Sequence, residues 1–192
     1  MNPRPHFFFA LRIPEETKLI MKEHIESLKQ EIPFKRWVHH MDLHITLAFL
    51  GSAEQEKLNQ AEKNVKEILN NEKAFNLRIN KLGFFGKEDS PRVFWADTEK
   101  IEELIQIRER VYSACKKAGF VLETRAFKPH ITLARKWMGQ GEFQKDLLNI
   151  WHELQPEPLE FRAEEVVVYQ TNLDKVPKYE PITIFPLQSE PF

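Results

Sequence analysis

The chain has 192 residues, with 28 Lys+Arg against 29 Asp+Glu and a formal net charge of −1. That length can bury a substantial core, and 42% hydrophobic with 30% charged residues is the balance of an ordinary globular protein. A charge near zero excludes a generic nucleic-acid coat, which needs a cationic excess to bind phosphates without regard to sequence. The single cysteine, Cys115, excludes an internal disulfide and a Cys-rich zinc site. The longest apolar runs, such as Phe7 to Leu11, are too short to span a bilayer. The N-terminal stretch lacks the pattern of a secretory signal, so a cytoplasmic protein is expected.

His6 to Ile13 reads as a short buried strand closed by Pro14, which suits the first turn of a helix. From Glu15 to Ile32, Ile20, Ile25, Leu28 and Ile32 recur at helical spacing, and Pro33 ends the helix. Leu43 to Leu50 is a strand. Ser52 with Gln55 forms a capping box for a helix faced by Leu58, Ala61, Val65, Ile68 and Leu69. Phe75 to Phe85 alternates as a strand buried on one side. Arg92 to Ala96 is the next strand, and Thr98 is placed to cap a helix striped by Ile101, Leu104, Ile105, Val111, Cys115 and Ala118, with Gly119 as its stop. His130 to Ala134 is again a strand. Gly139 to Leu154 reads as a helix faced by Phe143, Leu147, Ile150 and Trp151. Leu159 to Tyr169 and Tyr179 to Phe185 close the chain as strands.

Strand, helix, HITL strand, helix and strand thus occur twice. His44 and His130 lie 86 residues apart, and Phe9 and Phe94 lie 85 apart. The repeat is too long for a solenoid unit. It predicts an α+β fold over residues 1–192, bilobal, with repeat halves of roughly 6–86 and 91–187. Each lobe is a sheet covered by helices on its outer face, and the opposite faces meet across a central cleft.

His44-Ile45-Thr46-Leu47 and His130-Ile131-Thr132-Leu133 are identical tetrapeptides. With 7 His and 7 Thr in the chain, composition alone gives roughly a quarter of one His-x-Thr triplet, so two extended matches carry information. In a strand, His44 and Thr46 share one face while Ile45 and Leu47 take the other. Duplication sets a second His/Thr pair opposite the first. Imidazole titrates near neutrality, so one copy is able to act as a base and the other as an acid. Threonine hydroxyls donate to phosphate oxygens between them. The pattern suits phosphoryl transfer on a strained cyclic phosphodiester without a metal ion.

These motifs, with the segments FFFALRIP, WVHHMDLHITLAFLG, RAFKPHITLAR and VVVYQTNL…YEPITIF, resemble the 2H phosphoesterase superfamily. Within it, the chain is similar to the RNA 2′,3′-cyclic phosphodiesterases, also called 2′-5′ RNA ligases. The resemblance spans nearly the whole chain. It implies a bilobal fold of two pseudo-symmetric, mainly antiparallel sheets, with the motifs facing each other across the cleft. It implies metal-independent opening of RNA 2′,3′-cyclic phosphate ends to 2′-phosphomonoesters, and reversible 2′-5′ joining of RNA such as tRNA halves. It also implies no cofactor, no membrane and a monomer. On the matching positions, His44 is the proton donor, His130 the proton acceptor, Thr46 and Thr132 the phosphate holders, and Arg135 an added positive charge. Strict alternation turns Arg135 away from His130, so the strand must end or bulge there. The corresponding position after the first motif is Phe49.

Other readings compete. Small cyclic nucleotides are an alternative substrate, and a non-catalytic RNA-end binding module is an alternative role. His39 and His40 with His44 compose a possible metal site, opposed by the lack of a carboxylate cluster beside them. Cys115 reads as core. Trp37, Phe84, Phe85 and Trp95 are candidates for stacking on a base. Lys35, Arg36, Lys128, Arg135 and Lys136 are candidates for guiding an RNA end.

Overall fold

A computed structural model describes residues 4–189. Its order is β1 (His6–Arg12), α1 (Glu15–Glu31), β2 (Phe34–Trp37), a 3-10 turn (His40–Asp42), β3 (His44–Ser52), α2 (Gln55–Leu69), β4 (Phe75–Lys87), β5 (Ser90–Thr98), α3 (Glu102–Lys117), β6 (His130–Trp137), a 3-10 segment (Lys145–Asn149), α4 (Ile150–Leu154), β7 (Leu159–Ala163), β8 (Glu165–Thr171) and β9 (Tyr179–Pro186). All named strand pairs are antiparallel. No described helix is long and apolar enough to cross a membrane.

Two sheets result, ordered β3-β1-β8-β9 and β2-β6-β5-β4-β7. With β2 set aside, they match strand for strand: β3 with β6, β1 with β5, β8 with β4 and β9 with β7. The symmetry is one of position in space. The halves 6–86 and 91–187 do not correspond to the two sheets, because β4 of the first half pairs into the second sheet and β8 and β9 of the second half complete the first. The two halves are interlaced.

β1 shows why a continuous apolar run serves here. Phe7, Phe9 and Leu11 enter the main core, while Phe8 and Ala10 form a smaller cluster with Val167 and Tyr169 on the opposite face. Both faces are covered, so alternation vanishes from the sequence. Helices α2 and α3 pack on each other and touch β9 and β3, and α4 touches β4. β3, the edge of the first sheet, lies beside β6 of the second.

Several expectations need correction. The buried row of α1 is Thr17, Lys18, Met21, Ile25 and Leu28. Ile20 is partly exposed, because Met21 occupies the position one turn before Ile25. Ser52 and Thr98 each finish a strand; the helices that follow start after Glu54 and Ile101, without side-chain caps. β2 escapes the sequence reading altogether. Gly139 to Leu154 is not one helix. A Cβ at Gly139 would fall 2.0 Å from the Trp137 ring. The Phe143 N–H donates to the Asp89 carbonyl at 2.8 Å, and Phe143 packs against Phe84 and Trp137. This tertiary packing overrides helix propensity. Leu159 to Tyr169 is two strands in different sheets, separated at Glu164, whose carbonyl accepts the Leu187 N–H. Gly119, at φ +95°, ends α3 as expected.

Candidate active site

Both HITL motifs open a strand, and both strands bulge at the same place. In β3, Ala10 faces Thr46 and Phe9 faces Ala48, leaving Leu47 as the extra residue. In β6, Trp95 faces Thr132 and Phe94 faces Ala134, leaving Leu133 as the extra residue. A bulge shifts the alternation by one residue. Ile45 and Leu47, like Ile131 and Leu133, are buried, whereas Phe49 and Arg135 turn to the same side as the histidines and threonines. The bulge required by Arg135 is present.

A cavity of about 580 Å³ is lined by Thr46, His130, Thr132 and Arg135 together with Phe49 and Lys128. Four of the five candidate residues therefore meet at one surface. His44 does not line it but reaches it through Thr46, its Nε2 lying 3.0 Å from Thr46 Oγ1. It is near enough to His130 for the two charges to repel.

The two rings are held alike at one nitrogen. His44 Nδ1 donates to the Asp42 carbonyl at 2.7 Å, and His130 Nδ1 donates to the Lys128 carbonyl at 2.7 Å. A carbonyl only accepts, so Nδ1 carries the proton in each ring and Nε2 is left for chemistry. The second nitrogens differ. Thr46 occupies Nε2 of His44, while no protein group bonds Nε2 of His130 among the described residues.

Aromatic walls complete both sides. His44 sits on Phe8 at 4.8 Å between ring centroids and against Tyr179 at 5.2 Å. His130 meets Phe85 edge-on at 4.9 Å and lies 6.0 Å from Trp95. Trp95 lies directly over Gly83, where a Cβ would come within 2.2 Å of the ring. This burial governs both pKa values. Desolvation pushes His44 down to about 4, with Lys18, His130 and Lys178 adding repulsion against the hydrogen bond to the Asp42 carbonyl. His130 is lowered first by burial and then by Arg135 and Lys128, against the Lys128 carbonyl and Asp97. Both rings are neutral at pH 7 in the free protein.

Asp42 locks the His44 side. Its side chain, 4% exposed, accepts the Lys178 and Tyr179 backbone N–H groups at 3.1 and 3.0 Å. The buried Lys18 ammonium donates to the neighbouring Met41 carbonyl at 2.9 Å. One turn thus fixes the carbonyl that orients His44 and the loop that brings Tyr179 onto its ring. Asp42→Asn puts an amide N–H₂ against a backbone donor and removes the carboxylate beside Lys18. It lowers stability by about 1–3 kcal/mol, to be read from denaturant unfolding; a change below about 0.5 kcal/mol contradicts the locking role.

The remaining candidates separate. Phe85 and Trp95 stand against His130, but Trp37 packs on Phe34 and Phe94, and Phe84 packs on Phe143. Lys35, Arg36 and Lys136 do not line the cavity. His39 and His40 stack on each other at 4.5 Å. Among the described residues no three His, Cys, Asp or Glu side chains converge as a ligand set. Cys115 is fully buried, its thiol pushed up to about 12 by burial, which makes it inert core. Sequence reasoning missed Asp42 as a lock and Arg108 as a wall of the cavity. Arg108 and Tyr112, one turn apart on α3, were the available signal.

The family model for the 2′-5′ RNA ligase superfamily matches residues 19–175. The chain is 38% identical over 188 residues to the RNA 2′,3′-cyclic phosphodiesterase of Geobacillus stearothermophilus, covering 98% of this chain and 59% of that protein. It is 34% identical over 186 residues to the RNA 2′,3′-cyclic phosphodiesterase of Bacillus subtilis strain 168, covering 96% and 97% respectively. The chain therefore spans somewhat under two thirds of the first relative and nearly all of the second. Among solved structures, the fold is similar to TT0787 of Thermus thermophilus, with TM-score 0.76, 25% identity, and coverage of 97% of this chain and 100% of that one. It is also similar in fold to E. coli LigT complexed with 3′-AMP, with TM-score 0.74, 23% identity, and coverage of 96% and 99%.

Proposed function

Because the chain belongs to the 2′-5′ RNA ligase superfamily, we propose that it hydrolyses RNA 2′,3′-cyclic phosphate ends to 2′-phosphomonoesters by acid–base catalysis without a metal ion. One observation carries the reading: two bulged HITL strands bring two hydroxyls, one imidazole and one guanidinium to a single cavity, with the second imidazole hydrogen-bonded to one of those hydroxyls. The relatives named RNA 2′,3′-cyclic phosphodiesterase support the substrate class.

In this mechanism Nε2 of His130 takes a proton from water, and the water oxygen attacks phosphorus. The bond from phosphorus to O3′ breaks, and Nε2–H of His44 protonates the leaving O3′. The product carries a 2′-phosphate and a free 3′-hydroxyl. One water is consumed, and proton exchange with solvent restores the two rings. Thr46 and Thr132 donate to the non-bridging oxygens, and Arg135 offsets their charge. The free lone pair on Nε2 of His130, beside Arg135 and Lys128, fits the base. His44 fits the acid once phosphate binds, because the desolvation that lowers its pKa in the free protein strengthens its attraction to a bound anion. A 5′-hydroxyl of a second RNA in place of water gives a 2′-5′ phosphodiester by the same steps, and the reverse reaction cleaves it. The same reading has the enzyme acting as a cytoplasmic monomer on RNA ends such as tRNA fragments, with no cofactor.

Hydrolysis of an oligoribonucleotide ending in a 2′,3′-cyclic phosphate, followed by phosphorus NMR, tests this directly. Activity persists in excess EDTA and the product is the 2′-phosphate. Loss of activity with the chelator sinks the metal-free mechanism, and a 3′-phosphate product reverses the leaving-group assignment.

A further inference from the structure

The cavity extends well past the two His-x-Thr pairs, along α3 and the loop before β6. Its wall carries Arg92, Arg108, Arg125 and Lys128 besides Arg135, against a single carboxylate, Glu123. Arg125 is paired with Glu123. Arg92, Arg108, Lys128 and Arg135 enter no ion pair among the described residues. In a chain of net charge −1, four uncompensated cations on one wall exceed what one cyclic phosphate, with its single negative charge, requires.

Arg108 is the most specific of them. Its guanidinium carbon lies 4.1 Å from the Tyr112 ring centroid and 5.3 Å from that of Phe127. Rings over a guanidinium hold it by cation–π contact and leave its in-plane N–H edge as the bonding surface. Nε itself is buried, with no hydrogen-bond partner among the described residues, which leaves the two terminal nitrogens of that edge to meet a ligand. A guanidinium orients on a phosphate through that planar edge, often in bidentate fashion. Phe49, 54% exposed, shares the cavity and presents an apolar face that no phosphate would cover. Cations interleaved with an exposed aromatic ring match the alternation of phosphate and base along a single strand.

Resting on the proposed cyclic phosphodiesterase activity, we infer that the Arg108 wall is a subsite for the phosphodiester preceding the cyclic end. The preferred substrate is then an RNA chain of at least two nucleotides, and a nucleoside 2′,3′-cyclic phosphate fills only part of the cavity.

Three substrates test the subsite: a nucleoside 2′,3′-cyclic phosphate, a dinucleotide with the same cyclic end, and that dinucleotide with its internucleotide phosphate replaced by an uncharged methylphosphonate. The charged dinucleotide exceeds the other two in kcat/KM by about tenfold or more, mainly through KM. Its log KM rises with log salt about 0.7 more steeply than that of the mononucleotide. Arg108→Gln lowers the dinucleotide-to-mononucleotide ratio of kcat/KM about tenfold. Equal turnover of the charged and neutral dinucleotides by the unaltered protein overturns the subsite, whether or not the variant folds. Absence of turnover on all three substrates instead overturns the activity on which the subsite rests.

Discussion

Alanine at His44 or at His130 lowers kcat on a cyclic-phosphate-ended RNA by about 10³-fold or more, within the range for losing a general acid or base. The double variant is little worse than either single one, because acid and base act in one transition state. Each ring lies on the face of its strand opposite the buried Ile and Leu side chains of its motif. The variants therefore keep the native circular dichroism spectrum and melt cooperatively. Activity within tenfold of the unaltered protein in either variant removes that residue from the mechanism.

The same pair fixes the pH dependence. The base must be neutral and the acid protonated. In the free protein both groups titrate below 6.5, His44 near 4. Plots of kcat/KM report free enzyme, so their bell lies on the acid side of pH 6.5. Bound phosphate raises both pKa values, most strongly for the more desolvated His44, and the kcat profile is displaced to higher pH. The groups that set these limbs are Lys18, Lys178 and the Asp42 carbonyl around His44, and Arg135, Lys128 and Asp97 around His130. A flat profile from pH 5 to 9 contradicts the mechanism.

The chemistry was legible because it is written in short range. A His and a Thr two residues apart on a strand share a face whatever surrounds them, and duplication marks both copies. The bulge could be inferred from Arg135, since a useful charge there required a change of phase. What stayed hidden depends on distant partners. Nothing local in Leu159 to Tyr169 says that the chain leaves one sheet for the other at Glu164; that residue is neither Gly nor Pro. The interlacing of the halves was hidden for the same reason, since sheet membership of β4, β8 and β9 is decided by partners far along the chain. Asp42 has no local sequence partner that marks its role. Its two acceptors are filled by backbone donors 136 and 137 residues away. The Gly139 segment carried helical spacing, yet Phe143 finds a better place against Phe84 and Trp137 than a helix allows.

Arg135→Ala carries the second large effect, because it removes a charge and retunes a base at once. Its position follows from the Leu133 bulge, which returns Arg135 to the face of His130 and Thr132. The guanidinium offsets charge that builds on the non-bridging oxygens as phosphorus is attacked, and losing one such preorganised group costs about 10²–10³ in rate. It also repels a proton on His130. Removal therefore raises the His130 pKa, and the limb of kcat/KM that His130 sets moves to higher pH. Lysine at 135 keeps the charge and restores the position of the limb, but not the two-pronged contact with phosphate, so kcat/KM recovers only in part. The paired readout separates chemistry from fold. A variant that is merely misfolded loses rate with no shift of the limb, and an Arg135→Ala protein with both rate and limb unchanged places the phosphate elsewhere in the cavity.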